Sequence, residues 1–399
     1  MNQFVDFGPF PPPRGAARRD PQRIAFVSLS ARGGTMLYAT GLAQRLAGTA
    51  AVVFVGPSHL PLAEQPRDCR YVPVRTGSSH RETMLRTLSL PALLPAIVRE
   101  VRAFQPDLVH FPLSHPWNPA VAAALRQYPI VFTVHDPLPH SGAKWQRVTW
   151  LTHSAMYRLA TRFVVLSRFC HRALPPSVRD RATVVPLPAL THYCSSSPVA
   201  SGRHRIVYFG RVEPYKGVNT FCDAAALLVA EGSDADFVIA GSGPLPENVN
   251  RIPESHRTIM NRYISEQEVS DLLASASLVV LPYTDATQSA VLAAAYAAGV
   301  PVVATTVGSL PEFVEHERSG LLVAPGDPVA LAKAVARVVQ DPALHQRLRL
   351  GAVAMARTEL SWERAVEGHL EAYAQTLAAR REGAVPATPM AGAITAARF

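Results

Sequence analysis

Short, uninterrupted apolar runs rich in β-branched residues alternate with longer segments in which apolar positions recur at helical spacing. The runs in the first half are Arg23–Leu29, Ala51–Val55, Leu108–Phe111, Ile130–Val134 and Phe163–Leu166. Those in the second are Arg205–Gly210, Asp236–Gly241, Leu278–Pro282, Pro301–Thr305 and Gly320–Val323. Runs that are apolar throughout, rather than at alternate positions, predict strands covered on both faces, as in parallel sheets. Between them, segments such as Met36–Leu46 and Leu90–Phe104 predict the covering helices. The alternation breaks over the polar, turn-rich stretch Thr191–Gly202, which reads as the junction between two such units. The pattern therefore predicts an α/β protein with two Rossmann-like domains facing a central cleft. Its expected parts are a disordered tail over 1–22, a first domain over 23–190, a linker over 191–203 and a second domain over 204–359. A closing helix over 360–380, capped at Ser361, and a disordered tail over 381–399 complete the chain. Ligands in such sheets sit beyond the carboxyl ends of the strands, so the residues after each run are the candidates for chemistry.

Composition narrows the class. Of the 399 residues, 48% are hydrophobic and 17% charged, a balance that buries cores in two domains and excludes a disordered chain. The four cysteines are scattered without a CxxC pair, so neither a disulfide framework nor a zinc site is expected. The N-terminus lacks the basic-then-apolar order of a signal peptide, and the most apolar stretch, Leu272–Val307, is broken by Pro282, Asp285, Gln288, Gly299 and Pro301. A cytoplasmic protein without a transmembrane helix is expected. The net charge of +9 is uneven: residues 1–200 carry 22 basic against 9 acidic side chains, and residues 201–399 carry 17 against 21. A basic first half suits an anionic membrane surface at the inner face of the membrane, a diphosphate-linked lipid or an acidic glycan, with plain solvated arginines the equal alternative. No recognition helix or basic-aromatic interleaving points to nucleic acid.

Several strand ends carry candidate residues. After Phe209 comes Gly210-Arg211-Val-Glu-Pro-Tyr-Lys216-Gly217, where glycine permits a sharp turn, Arg211 offers a planar fork and Lys216 a point charge. The strand-end position favours a diphosphate over two cations on a solvated loop. Gly241 and Gly243 follow the next run, either admitting a ligand to the backbone or making a plain turn. After Leu281, the segment to Ala290 leads into a small-residue helix expected to begin near Gln288, with its free N–H groups aimed at a phosphate or sugar hydroxyl. For Thr287 and Ser289, helix capping is as good a reading as ligand contact. Gly33 and Gly34 open a helix after the first strand, facing a diphosphate or forming a β-to-α turn. His135 and Asp136 end another run and precede His140. No second cluster of ligand spacing accompanies this His–Asp pair, so no metal is expected.

Together these segments resemble glycosyltransferase family 4, the retaining enzymes of GT-B fold, over about residues 23–378. The phrase Tyr208–Gly217 is similar to the family's donor-phosphate loop, so the resemblance makes Arg211 and Lys216 the diphosphate-binding and catalytic pair, beside Gly210. Asn261–Glu266 looks like the segment along the nucleotide base and implicates Tyr263 and Ile264. The resemblance places His135 beside the transferred sugar as a further catalytic group, with Asp136 and His140 on the acceptor side. Many members carry two glutamates with seven residues between them before a Gly-x-Pro turn; here those positions hold Ala286 and Ala294. The segment instead resembles the branch reading Ala-Thr-Gln-Ser-Gly, with Ala290 for the glycine. Thr287, Gln288 and the N–H groups of Ser289 and Ala290 then become the donor-sugar contacts.

The resemblance implies transfer of a sugar from a UDP- or GDP-linked donor to a glycan, lipid-linked or small-molecule acceptor. It further implies retention of configuration, independence of metals, and no cofactor beyond the nucleotide-diphosphate sugar as co-substrate. A hexosyltransferase of polysaccharide biosynthesis fits. Two other readings stand beside it: a catalytically silent binding partner, in view of Ala286 and Ala294, and a GT-B sugar-nucleotide epimerase, which needs acid/base carboxylates in the cleft.

Overall fold

The computed structural model describes residues 22–30, 34–77, 80–138, 146–193 and 203–381. The expected tails before Gln22 and after Arg381, most of the linker, Gly33 and His140 lie outside the described residues.

The first sheet contains β1 (Gln22–Val27), β2 (Ala50–Pro57), β3 (Arg70–Val74), β4 (Leu108–Phe111), β5 (Ile130–Val134), β6 (Arg162–Val165) and β7 (Ala182–Val184). The second contains β8 (Arg205–Phe209), β9 (Asp236–Ala240), β10 (Arg257–Met260), β11 (Leu278–Leu281), β12 (Val302–Thr305) and β13 (Gly320–Val323). Their orders are β3-β2-β1-β4-β5-β6-β7 and β10-β9-β8-β11-β12-β13, with every pairing parallel. Two Rossmann-like units in tandem are thus present, as the alternation predicts. In each sheet the order reverses beside the first strand of the unit, at β1/β4 and at β8/β11. Such a switch point leaves a crevice beyond the strand ends.

The central strands β4, β5 and β11 are buried at every position, which is what their continuous apolar runs require. One core cluster fills the outer side of each sheet. A third joins the domains, packing the helix Gly34–Leu46 and strand β1 of the first domain with the helix Ala290–Ala297 and Trp362 of the second half. The carboxyl edges of the sheets meet across this junction. Ser167, after β6, donates to the Thr287 carbonyl at 3.4 Å, and Glu312 accepts from the backbone N–H groups of Arg168 and Phe169 at 2.8 and 2.5 Å. Glu312 thereby caps, from the other domain, the start of the helix Arg168–Ala173.

The closing helix runs Trp362–Arg381, with Ser361 accepting from the Arg364 N–H at 3.2 Å as the sequence predicts. It crosses back onto the first domain. There the Trp362 ring lies under the Arg45 guanidinium at 4.0 Å and against Gly41, where a β-carbon would come within 2.7 Å of the indole. Among the described residues no helix is long and apolar enough to cross a membrane.

Candidate active site

The second-domain crevice is built from two loops that touch. Gly217 has φ +66°, and a β-carbon there would lie 1.9 Å from the Pro282 carbonyl oxygen, so only glycine lets the loop after β8 pass the loop after β11. The two are tied by the Thr284 N–H, which donates to the Tyr215 carbonyl at 2.8 Å. Gly241 closes the other side: its N–H donates to the Met260 carbonyl at 3.0 Å, and a β-carbon would lie 1.8 Å from the Gly210 oxygen. Gly243 donates to Asn261 Oδ1 at 3.2 Å. These close approaches bring the ends of β8, β9, β10 and β11 to one place.

Arg211 and Lys216 share that place in different states. The Arg211 side chain is 66% exposed, with one contact to Glu213 Oε1 at 3.4 Å, so its fork is available to a ligand. Lys216 is half-buried; its ammonium lies 3.0 Å from where a Gly210 β-carbon would be and 5.1 Å from the centre of the Tyr283 ring. Burial lowers its pKa, and nearby Arg211 adds to that lowering against the opposing influence of Tyr215. A cation strained in this way gains most from an arriving anion, which supplies the partner that water no longer does. Beyond β10, Tyr263 is 61% exposed and turns its ring to solvent, while Ile264 is buried.

The segment after β11 divides its residues between the domains. Ser289 caps the helix Ala290–Ala297, its hydroxyl accepting from the Leu292 N–H at 3.1 Å, so the helix begins at Ala290 rather than near Gln288. Thr287 does not cap it. It is 1% exposed and donates to Asp136 Oδ1 in the first domain, while its carbonyl accepts from Ser167 and, at 3.2 Å, from the Cys170 thiol. Burial pushes that thiol up to about 12, which keeps it protonated and able to donate. Gln288 Oε1 is buried with no hydrogen-bond partner among the described residues. An orphaned acceptor of this kind is costly unless a ligand completes it.

Across the junction, His135 follows β5 and is 6% exposed. Its Nε2 meets the Pro112 carbonyl at 2.9 Å; a carbonyl only accepts, so the proton is on Nε2 and Nδ1 is left as an acceptor. That Nδ1 is buried and without a hydrogen-bond partner among the described residues. Burial lowers the imidazole's pKa, opposed by Asp136, so the ring is neutral at physiological pH. Asp136 accepts from Thr287 across the junction, and the Pro112 carbonyl sets the tautomer of His135.

The whole chain has relatives that fix its class. Residues 32–189 match the family described as Glycosyltransferase Family 4, and residues 203–341 match Glycosyl transferases group 1. A glycogen synthase of Mycobacterium tuberculosis is 28% identical over 306 residues, spanning 70% of each chain. A D-inositol 3-phosphate glycosyltransferase of Acidothermus cellulolyticus is 28% identical over 425 residues, spanning 91% of this chain and 92% of that one. The sucrose-phosphate synthase of Thermosynechococcus elongatus superposes with a TM-score of 0.71 at 20% identity, covering 90% of this chain and all of that one. Anabaena HepE, solved in complex with UDP-glucose, superposes at 0.70 with 18% identity, covering 88% and 99%. The chain is a glycosyltransferase of GT-B fold.

In this glycosyltransferase the positions of the two familiar glutamates are closed. Ala286 and Ala294 are each 1% exposed and belong to the core cluster at the domain junction, so a carboxylate at either would enter an apolar core. Among the described residues, the buried polar atoms without hydrogen-bond partners include Gln288 Oε1 and His135 Nδ1, both acceptors suited to hydroxyl donors. The sequence singled out both residues but not the interdomain hydrogen bonds of Thr287 and Glu312. A helix cap supplied by a carboxylate more than 140 residues away leaves no local signal. Among the described residues no group of three His, Cys, Asp or Glu side chains is placed to hold a metal.

Proposed function

We propose that the enzyme transfers a hexose from a nucleotide-diphosphate sugar, UDP- or GDP-linked, with retention of configuration and without a metal ion. The acceptor is a glycan, lipid-linked or small-molecule hydroxyl bound by the first domain, whose basic surface suits an anionic membrane or a diphosphate-linked acceptor. The observation that carries this reading is the placement of an exposed Arg211 and a desolvated Lys216 at the β8/β11 switch point, flanked by loops that only glycine can bring together. The printed complexes of HepE with UDP and with UDP-glucose make a uridine donor the first to test.

Departure of the nucleoside diphosphate builds negative charge on its oxygens. Arg211 and Lys216 meet that charge directly, and the start of the helix Ala290–Ala297 adds its N–H groups. Gln288 Oε1 and His135 Nδ1 accept from sugar hydroxyls and hold the anomeric carbon toward the first domain. The proton of the attacking hydroxyl passes to the leaving phosphate, so no second carboxylate is required. Closure of the two domains excludes water as a competing acceptor. A thermal-shift screen with UDP-, GDP-, ADP- and TDP-glucose identifies the donor, because a ligand of the folded state raises the melting point. Proton NMR of the product then reads its anomer; an inverted product, or no shift with either UDP- or GDP-glucose, rejects the reading.

A further inference from the structure

Four fully buried polar rings lie between the closing helix and the first domain: Tyr38, His110, His369 and Tyr373. His369 donates from Nδ1 to the Ala365 carbonyl at 2.6 Å, which leaves Nε2 to accept from the Tyr38 hydroxyl at 2.8 Å. The Tyr38 ring in turn packs at right angles to His135, with centroids 5.5 Å apart and planes at 81°. Beside this pair, the Tyr373 hydroxyl meets His110 Nδ1 at 2.7 Å, and His110 Nε2 meets Thr133 Oγ1 at 2.9 Å, two residues before His135.

Docking a helix onto a sheet does not need such groups; leucines would do it without desolvating two phenols and two imidazoles. A buried polar network, once fully satisfied, does something leucines cannot: it admits one arrangement. Here the arrangement ends against the ring whose free Nδ1 faces the junction. We infer that Tyr38 is a positioning residue for His135, locked from the closing helix by His369, so that the imidazole keeps one orientation and one tautomer. The Pro112 carbonyl chooses the tautomer, and the Tyr38 ring packed against the imidazole blocks the rotation that would exchange Nδ1 for a carbon. Without the His369 acceptor, Tyr38 loses its hydrogen bond to that helix, and the hold on its ring weakens. The inference rests on the reading of His135 as a contact of the transferred sugar for its consequence in turnover, but not for the positioning itself.

The test uses the full chain labelled with nitrogen-15 at histidine, with the His135 ring signals assigned by their loss in His135→Gln. The wild type shows the Nε2-protonated tautomer. Tyr38→Phe, which removes only the hydroxyl, and His369→Leu, which removes the acceptor, move both His135 nitrogens toward the average of two tautomers. His369→Gln keeps an acceptor for Tyr38 and restores the wild-type signals. Unchanged His135 signals in Tyr38→Phe and His369→Leu overturn the inference; should His369→Leu not fold, Tyr38→Phe decides alone. Turnover of UDP-glucose separates this from the proposed reaction. Tyr38→Phe lowers kcat on the order of tenfold at unchanged KM, as a misplaced contact does. If His135→Gln leaves turnover intact while Tyr38→Phe still shifts the His135 signals, the role given to His135 fails and the positioning stands.

Discussion

Acid sensitivity follows from the buried rings of the closing helix. His369 is fully buried and burial holds its pKa at about 4, against 6.5 for a solvated imidazole. The unfolded chain therefore takes up this proton as the pH falls through 6.5, whereas the folded protein waits until about 4. Across that window the unfolded state binds more protons, so stability is lost as the pH is lowered and regained as it rises. At about 1.36 kcal/mol per pH unit, this one ring removes about 2.5 kcal/mol by about pH 4.5, and about 3.4 kcal/mol once both states are protonated. His369→Gln cannot take up the proton. Urea unfolding of wild type and His369→Gln, each at about pH 7 and about pH 4.5, isolates the contribution. The wild type loses more stability on acidification than the variant, by about 2.5 kcal/mol. Some loss persists in the variant, because burial also lowers the pKa values of His110 and His153, the latter to about 4. Equal losses in the two proteins refute the claim that His369 is held neutral in the junction.

Three other substitutions probe the junction. Glu312→Gln keeps the shape but removes the charge that caps the helix Arg168–Ala173 from the other domain, so thermal unfolding reports a loss of about 1 kcal/mol. Thr287→Val deletes the hydroxyl that Asp136 accepts from; a double-mutant cycle with Asp136→Asn gives a coupling of about 1 kcal/mol or more, whereas additive effects show that the bond contributes nothing. Trp362→Ala empties a site that is 2% exposed and packs under Arg45, and calorimetry records a loss of about 3–5 kcal/mol.

Strand legibility in the sequence followed burial. The continuous runs at β1, β2, β4, β5, β6, β8, β9, β11 and β12 are apolar because neighbours cover both faces, and β13, an outer strand buried at two of its four positions, is still marked by its Leu-Leu-Val run. The runs absent from the apolar pattern, β3, β7 and β10, are all outer strands of their sheets. Their residues are half-buried or exposed at most positions, so no apolar run marks them. The same logic applies to the site. Gly210, Arg211, Lys216 and Gly217 are legible because one loop holds them together in sequence. Thr287 was legible only as a polar residue near a helix start. Its partner Asp136 lies in the other domain, and nothing local distinguishes a hydroxyl that caps from one that reaches across a cleft. The same holds for His135, whose free Nδ1 depends on the distant Pro112 carbonyl and on a ring held from the closing helix.

The claim on which the rest depends is that Arg211 and Lys216 hold the diphosphate of a sugar nucleotide. Calorimetric titration of UDP-glucose and GDP-glucose into the wild type and the Arg211→Ala/Lys216→Ala double variant tests it without needing the acceptor. One of the two donors binds the wild type, and its affinity falls by about a hundredfold or more in a double variant that still unfolds cooperatively. Equal affinity in the two proteins contradicts the account.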